Sequence, residues 1–293
     1  GVFFPRIGDL QNQMNIGETT LGLALLGPPI GVQLSLLFAD KIFSFLGFRL
    51  VMCLGVPMLS AALVFSSLTI NPLIFAISLM LGGFAIGILE VAVNLEADRI
   101  EYKINKKIMN RSHSFWSLGF FCSGLTGALF SQMQISPFIN FSLSLIFGTA
   151  LTILFCIKYK PAKMRPNLNS NNSLFVIPTR AVMGLVILTL SPMLLESASI
   201  DWSVIYMRDV FSTPPFLNGM AIVMVAFTQF SVRYYADKFV EIFGSDIVSK
   251  ISIIAMFIGV TLIFFSKFPY LSLIGFAFIG GGSAVLFPLA MSA

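Results

Sequence analysis

Long uncharged or nearly uncharged stretches alternate with short polar ones along most of the chain. Nine such stretches occur, at residues 19–39, 50–68, 73–95, 112–134, 138–157, 181–200, 215–232, 251–266 and 268–291. Nearly all have the roughly 17 to 25 residues that an α-helix needs to cross the hydrocarbon core of a bilayer. Strict alternation of apolar and polar positions, which is typical of membrane strands, is missing. The pattern therefore predicts an all-α membrane protein.

The distribution of basic residues supports this prediction and gives it an orientation. Only 11% of the residues are charged and 57% are hydrophobic. Alternate loops hold 15 of the 18 Lys and Arg residues, and the other loops hold three, which are Arg6, Arg208 and Lys267. Because basic loops stay in the cytoplasm, we expect loops 40–49, 96–111, 158–180 and 233–250 on that side of a multi-pass inner-membrane protein. The positive net charge is thus no sign of nucleic-acid binding.

One short segment is repeated in the two parts of the chain. Residues 38–47 read FADKIFSFLG and residues 235–244 read YADKFVEIFG, with an offset of 197 positions. Both copies lie between two predicted membrane helices, so position and sequence agree. A gene-duplicated carrier with two parallel halves leaves this kind of trace. We therefore expect an N-terminal half at 1–157, a polar linker at 158–180 and a C-terminal half at 181–293.

The same offset predicts which helices are present. The helix at 181–200 has a counterpart of which only the tail, residues 1–4, is in the sequence. Counterparts of the helices at 112–134 and 138–157 would follow residue 293. We therefore expect a fragment of a twelve-helix protein that contains about nine complete membrane helices and lacks most of helix 1 and all of helices 11 and 12.

Two parallel halves with Asp-Lys…Gly loops after helices 2 and 8 resemble the major facilitator superfamily. The resemblance implies two parallel six-helix halves and a conformational latch in these loops. Its positions fall on the following residues: Asp40, Lys41, Gly47 and Arg49 in the first half, and Asp237, Lys238 and Gly244 in the second. The alternative is that these are ordinary solvated loop charges.

Helix 4 carries an acidic residue inside its apolar stretch. Gly83, Gly87, Glu90 and Asn94 are spaced by four, three and four residues, which places them on one helix face. An ionised carboxylate near the middle of a membrane costs roughly 2.5 to 3.5 kcal/mol on insertion scales, so Glu90 should face a cavity or a partner. It can serve as a proton carrier, or it can simply hydrogen-bond a neighbouring helix.

This stretch narrows the resemblance. The residues Leu89, Glu90, Ala92 and Asn94 match the Leu-Glu-x-Ala-x-Asn motif of the fucose-galactose-glucose:proton symporters. The whole chain resembles uncharacterised bacterial inner-membrane transporters, through residues 112–119, SHSFWSLG, and the segment that starts at Asp201-Trp202-Ser203 and ends at Arg208-Asp209-Val210. The resemblance implies proton coupling at Glu90 and a sugar cavity beside Asn94.

Three further residues are candidates for the transport path. His113, the only histidine, and Trp116 lie where helix 5 begins, and Glu196 lies in helix 7. His113 can donate a hydrogen bond to a ligand, or it can be an interfacial histidine that interacts with the local basic cluster. Trp116 can stack on a sugar ring, or it can anchor the helix at the membrane interface. In the related symporters helix 7 lines the cavity, which makes Glu196 a second candidate for proton coupling.

The sequence thus predicts a monomeric carrier without cofactor or metal. The carrier would use the proton gradient to take up a small polar solute such as a sugar. One alternative is a proton-driven exporter of amphiphilic compounds, which the 31 Phe residues would suit. Another is a transporter-like receptor that binds a ligand without moving it. An enzyme is not expected, because no phosphate-binding loop, metal-ligand spacing or catalytic triad is present. Cys53, Cys122 and Cys156 are interpreted as small buried apolar residues.

Overall fold

A computed structural model describes residues 1–106, 108–163 and 179–291 of the chain. Within these residues all regular secondary structure is helical. A short turn of 3₁₀ helix, Phe4–Arg6, precedes the α-helices. These are α1 Ile7–Met14, α2 Glu18–Ala24, α3 Gly27–Leu68, α4 Pro72–Ile104, α5 Met109–Gln132, α6 Pro137–Lys158, α7 Arg180–Phe211, α8 Pro215–Phe243, α9 Ser245–Phe265 and α10 Pro269–Met291.

The helices follow the predicted membrane stretches closely. Among the described residues, six helical stretches are long and apolar enough to cross a membrane: Glu18–Leu68, Pro72–Ile104, Pro137–Lys158, Pro215–Phe243, Ser245–Phe265 and Pro269–Leu286. The first contains two predicted stretches, because the chain turns at Gly47 inside α3, where φ is 68° and ψ is 168°. The prediction of a multi-pass helical membrane protein is therefore confirmed.

The predicted loops are shorter in the structure than in the sequence prediction. Loops were expected at 40–49, 96–111 and 233–250, but α3 continues through residue 46, α4 reaches Ile104 and α8 reaches Phe243. Hydropathy marks where a chain leaves the membrane, and a helix continues beyond that point while its residues still favour helix. Residues 164–178 of the predicted linker lie outside the described residues. We call the end of the bundle with residues 40–49, 99–106 and 233–250 the basic end.

Most helices that run toward the basic end begin at the opposite end of the bundle. Pro72, Pro137, Pro215 and Pro269 each stand at the first turn of such a helix, where the missing N–H removes no hydrogen bond. Pro72 and Pro269 are 197 positions apart, the offset of the sequence repeat. Pro28 and Pro29 stand in the first turn of α3, just after the break between α2, which ends at Ala24, and α3, which begins at Gly27.

Close helix packing repeats at the same offset. A side chain at Gly83 of α4 would overlap the carbonyl oxygen of Pro28 in α3. In the second half, a side chain at Gly280 of α10 would overlap the carbonyl oxygen of Val225 in α8. Gly280 and Val225 each lie 197 positions after Gly83 and Pro28. The two helix pairs therefore approach each other through the same backbone contact.

Helices α5 and α8 pack against each other and join the first part of the chain to the second. Ala128 meets Gly219 near the opposite end, and the rings of Phe121 and Phe227 are 5.5 Å apart farther along. The main apolar core lies at the opposite end and includes Phe3, Phe75 and Phe141. Many Ile, Leu and Phe side chains on the outer helix faces are exposed, as expected of a surface that meets lipid.

Candidate functional site

A buried arginine connects four helices in the part of the bundle nearer the basic end. Arg233 of α8 donates from Nε to the carbonyl oxygen of Ala284 in α10, at 3.1 Å, and from Nη1 to Ser117 Oγ in α5, at 3.0 Å. Its Nη2 lies 3.6 Å from Glu196 Oε1 in α7. The side chains of Arg233 and Glu196 are 13% and 22% exposed. We call Arg233, Glu196 and Ser117 the arginine cluster.

The arginine cluster solves the electrostatic problem of a cation in an apolar bundle. Taking a guanidinium out of water costs several kcal/mol unless a counter-ion and hydrogen-bond acceptors replace the lost hydration. Glu196 supplies the opposite charge, and the Ala284 carbonyl and the Ser117 hydroxyl supply acceptors. Because Ser117 belongs to the first half and the other members to the second, the cluster also holds the two halves together.

Sequence reasoning assigned Arg233 to a cytoplasmic loop, and this was wrong. The residue lies inside α8, and its side chain points into the bundle. Ser117 was quoted within the helix-5 motif but was given no role. The sequence does contain a sign that Arg233 is unusual. At the offset of 197 positions Arg233 corresponds to Leu36, so the second half has a charged residue where the first half has an apolar one.

The predicted latch of the second half makes a contact between the halves. Asp237 accepts a hydrogen bond from the side-chain amide of Asn110 at the start of α5. Nearby, the guanidinium of Arg111 lies 5.5 Å from the centre of the Tyr234 ring. Lys238 is exposed, and Gly244 turns the chain with φ of 80° and ψ of 155°. Asp237 therefore makes a polar contact with the start of α5, and Gly244 forms the turn that follows α8.

The first-half latch residues have different surroundings. Asp40 and Lys41 are exposed, and neither side chain has a hydrogen bond or ion pair within the described ranges. Arg49 donates from Nε to the carbonyl oxygen of Tyr159, just after α6. Gly47 has nearly the same backbone conformation as Gly244. The turn is thus common to both copies, whereas the charged contacts are not.

Glu90 is exposed and unpaired. Gly83 and Gly87 are buried against α3, and a side chain at Gly87 would overlap Ser35 Oγ. One turn farther toward the basic end, Glu90 makes no hydrogen bond or ion pair in the described part of the chain. Asn94 is half-buried, also without a side-chain hydrogen bond there. The predicted helix face is present, and no cation among the described residues lies beside its acid.

His113 and Trp116 lie on the first turns of α5. Trp116 is 56% exposed, and its ring stacks on Phe120 with centroids 5.3 Å apart. Phe120 in turn lies 5.3 Å from Phe4, so an aromatic row follows this side of α5. His113 is half-buried, and its carbonyl oxygen accepts from Ser117 Oγ at 3.3 Å. This places His113 next to the arginine cluster, whereas no contact joins either residue to Glu90.

A second buried acid lies at the basic end of α4. Glu96 accepts at Oε1 from the hydroxyl of Tyr159 and the N–H of Ala162, both at 2.6 Å, and its Oε2 lies 3.4 Å from Arg99. The sequence suggested an ordinary charge where the helix leaves the membrane, but the side chain is 4% exposed. Burial raises the pKa of the Tyr159 hydroxyl, and the hydrogen bond to Glu96 raises it further. Glu96 thus fixes the segment after α6 against α4.

Metal chemistry finds no support in the described ranges. Residues 1–106, 108–163 and 179–291 contain no group of three or more His, Cys, Asp and Glu side chains that could hold an ion. The cysteines differ from the prediction that all are buried: Cys156 is buried, Cys53 is half-buried and Cys122 is exposed on its helix face. A thiol is tolerated there because lipid is as apolar as a protein core.

Comparisons with known proteins agree with this architecture. No family model matches the chain. An uncharacterized transporter of Sinorhizobium fredii is 25% identical over 293 residues, which are 100% of this chain and 77% of that protein. An uncharacterized MFS-type transporter of Yersinia pestis is 24% identical over 290 residues, which are 99% of this chain and 74% of that protein. A crystal structure of a mutant of the nucleoside transporter NupG has a TM-score of 0.63 at 15% identity and covers 99% of this chain and 80% of its own.

Proposed function

We propose that this protein, which has the fold of the major facilitator superfamily, is a secondary active carrier with two halves, 1–157 and 181–293. The carrier moves a small polar solute by alternating access. Its relatives of similar sequence are named as transporters. Support also comes from polar contacts that join the halves at both ends of the bundle, in addition to the apolar packing of α5 against α8. Asp237 and Asn110 meet at the basic end, and Arg208 Nη2 donates to Gln11 at the opposite end, at 2.9 Å.

Polar contacts of this kind suit a carrier because they can break at one end while they persist at the other. Hydrogen bonds at either end can be exchanged for water at modest cost. By the positive-inside rule, the basic end faces the cytoplasm of a bacterial inner membrane. Asp40, Lys41, Gly47 and Arg49 form the first-half part of the latch. Asp237, Lys238 and Gly244 form the second-half part, and the carrier works as a monomer.

Glu90 couples the solute to protons. The observation that carries this assignment is that Glu90 lies in a membrane helix without a cation or donor among the described residues. An unpaired charge opposes closing of the cavity around it, and a proton removes that charge. Glu196 differs, because Arg233 stabilises its ionised form at 3.6 Å. Glu196 therefore acts second, and its protonation would release Arg233 from α7.

The solute is a sugar-like molecule that passes Asn94, His113 and Trp116. The exposed ring of Trp116 offers a flat surface for a sugar ring, and Asn94 has a side-chain amide that is not engaged by any described residue. Sugars and nucleosides share a hydroxyl-bearing ring, so the panel of test solutes includes a nucleoside as well.

A second candidate function is export of amphiphilic compounds. A cavity of about 500 Å³ lies between α8, α9 and α10 and is lined mainly by apolar side chains such as Met224, Phe239 and Phe278. An apolar cavity of this size suits a hydrophobic molecule better than a sugar. The direction of flux separates this function from uptake.

The test is flux into proteoliposomes with an imposed proton gradient, with D-galactose, L-fucose, D-glucose, uridine and a hydrophobic dye as solutes. We expect accumulation of one of the ring solutes together with a pH change inside the vesicles. Glu90→Gln should abolish the coupled proton movement, and Glu241→Gln, an exposed acid at the basic end, should not. Outward movement of dye alone would favour the exporter, and binding without flux would favour a receptor.

A further inference from the structure

A polar pocket lies between the two halves at the opposite end of the bundle. Its volume is about 250 Å³, and it is bounded by α1, by the end of α5 and by the junction of α7 with α8. Seven of its eleven lining residues have polar side chains. This pocket is distant from Glu90 and from the arginine cluster, both of which lie nearer the basic end. We call it the polar pocket.

One buried donor faces the polar pocket without an acceptor among the described residues. Arg208 donates from Nε and Nη2 to Asp209, at 2.6 and 3.1 Å, but its Nη1 is buried and has no hydrogen-bond partner. Asn218 also lines the pocket, and its Oδ1 accepts from Thr213 Oγ1, which leaves its amide N–H groups as further donors. Since a buried donor nearly always has a partner, Arg208 Nη1 selects for a ligand with oxygen atoms.

The polar pocket also offers acceptors, and its charges balance. Asp9 uses Oδ2 for Arg6, at 2.6 Å, and for Ser131, at 2.9 Å. Its Oδ1 has no bond within the described residues, and the side chain of Asn12 has none either. Arg6 pairs with Asp9 and Arg208 pairs with Asp209, so each cation already has its anion. A charged ligand would disturb this balance, whereas hydroxyl groups both donate and accept.

We propose that the polar pocket is a first binding site for a small uncharged solute with several hydroxyl groups, such as a monosaccharide. The site lies on the outer side and is occupied before the solute reaches the central path. This inference rests on the proposed function for the direction of entry, but its binding chemistry does not depend on flux. Because α1 and α7 both contribute, the solute would bind where the halves meet.

The experiment measures binding with a fluorescent reporter beside the polar pocket. The chain has two Trp residues, so Trp116→Phe leaves Trp202 alone, two residues before Val204 of the pocket lining. The protein is held in lipid nanodiscs and titrated with D-galactose, L-fucose or uridine. Galacturonate, which has the shape of galactose and one negative charge, distinguishes a neutral site from an anion site.

We expect a saturable Trp202 response to a neutral sugar. Arg208→Lys keeps the charge beside Asp209 but removes Nη1, and it should raise Kd about ten-fold, the effect of one hydrogen bond to a charged group. Asn12→Ala should raise Kd by a smaller factor. Glu241→Gln, at the basic end and far from the pocket, should leave Kd unchanged. Unaltered thermal unfolding of each variant separates lost binding from lost structure.

Several results would overturn the proposal. They are no saturable response to any neutral probe, tighter binding of galacturonate than of galactose, or a Kd that Glu241→Gln changes and Arg208→Lys does not. Flux that persists in proteoliposomes together with any of these results would leave the proposed carrier function standing. Loss of flux with normal Trp202 binding would refute the carrier function and leave the polar pocket.

Discussion

The two halves of the molecule share a scaffold but carry different charged residues in their membrane helices. Gly83 against Pro28 and Gly280 against Val225 are the same backbone contact at an offset of 197 positions. By contrast, Glu90 in the first half corresponds to Phe287, and Arg233 in the second half corresponds to Leu36. The first half thus has an unpaired acid, and the second has a cation bound to Glu196. The packing is thus the same at these two pairs of positions, whereas the polar chemistry is specific to each half.

The largest loss of stability is expected when Arg233 is replaced by leucine, the residue at the corresponding position of the first half, Leu36. Arg233→Leu removes the donors to Ala284 and Ser117 and leaves Glu196 without a cation. Breaking a buried ion pair from one side typically costs about 3–5 kcal/mol. We therefore expect a large loss of thermal stability in detergent or nanodiscs.

Two further variants test this explanation of the arginine cluster. Lys238→Leu, an exposed cation on the same helix, should change stability by less than about 0.5 kcal/mol. The double variant Arg233→Leu with Glu196→Leu should recover most of the lost stability, because no unpaired charge then remains. A double variant no more stable than Arg233→Leu would show that the ion pair is not the cause.

The shared scaffold is tested by adding side chains at the repeated glycines. Gly83→Val and Gly280→Val each force a branched side chain into a backbone carbonyl, so each should destabilise the protein by about 1–3 kcal/mol. Gly119→Val, at an open position of α5, is the matched control. Thermal unfolding of the three variants measures these losses. A loss of stability at only one of the two buried glycines would contradict a shared scaffold.

The latch glycines should give a smaller and equal effect. Gly47 and Gly244 have φ of 68° and 80°, and nothing lies within 4 Å of an added Cβ at either position. The loss on Gly→Ala is therefore purely conformational, about 1–2 kcal/mol at each site. Gly119→Ala, in regular helix, should be neutral or stabilising. Chemical denaturation measures the loss in free energy of unfolding. Equal losses at positions 47 and 244 would support the equivalence of the two turns.

The smallest expected effect concerns Tyr159, which holds the segment after α6 against α4. Tyr159→Phe removes one of the hydrogen bonds of Glu96 and should cost about 1 kcal/mol or less, because the ring is partly exposed. Burial first, and the Glu96 hydrogen bond second, raise the pKa of Tyr159 above its ordinary value of about 10. The unfolded protein loses this proton at lower pH than the folded one.

The sign of the pH dependence follows from that difference. The contribution of Tyr159 should be constant below pH 10 and should decline as pH rises above the unfolded value. The difference in stability between the native protein and Tyr159→Phe should therefore shrink at high pH. A difference that grows above pH 10 would show that the folded protein favours the ionised form.

Much of the fold could be predicted from sequence because the bilayer imposes a length on each helix. The positions of the membrane helices and the loop glycines Gly47 and Gly244 followed from local patterns. Helix ends were predicted less accurately, because the apolar stretch ends at the membrane surface whereas α8 continues to Phe243. Helices α4, α7 and α8 therefore extend beyond the ends of the apolar stretches that predicted them.

The arrangement of polar side chains could not be predicted in the same way. Arg233 sits among polar neighbours and was counted with the loop charges, while its partners Ser117 and Glu196 are far away in sequence. Arg208 pairs with its neighbour in sequence, Asp209. Its additional bond to Gln11 depends on how the halves pack. A local pattern indicates which residues are unusual, but only tertiary packing gives them partners.

The most direct test of the central claim compares two kinds of flux in one variant, Glu90→Gln. The measurement is solute movement in proteoliposomes, first driven by a proton gradient and then as exchange of labelled for unlabelled solute without a gradient. If Glu90 couples the solute to protons, the variant loses gradient-driven accumulation and keeps exchange, because the neutral amide imitates the protonated acid. Gradient-driven accumulation at the level of the unmodified protein would contradict the assignment of Glu90.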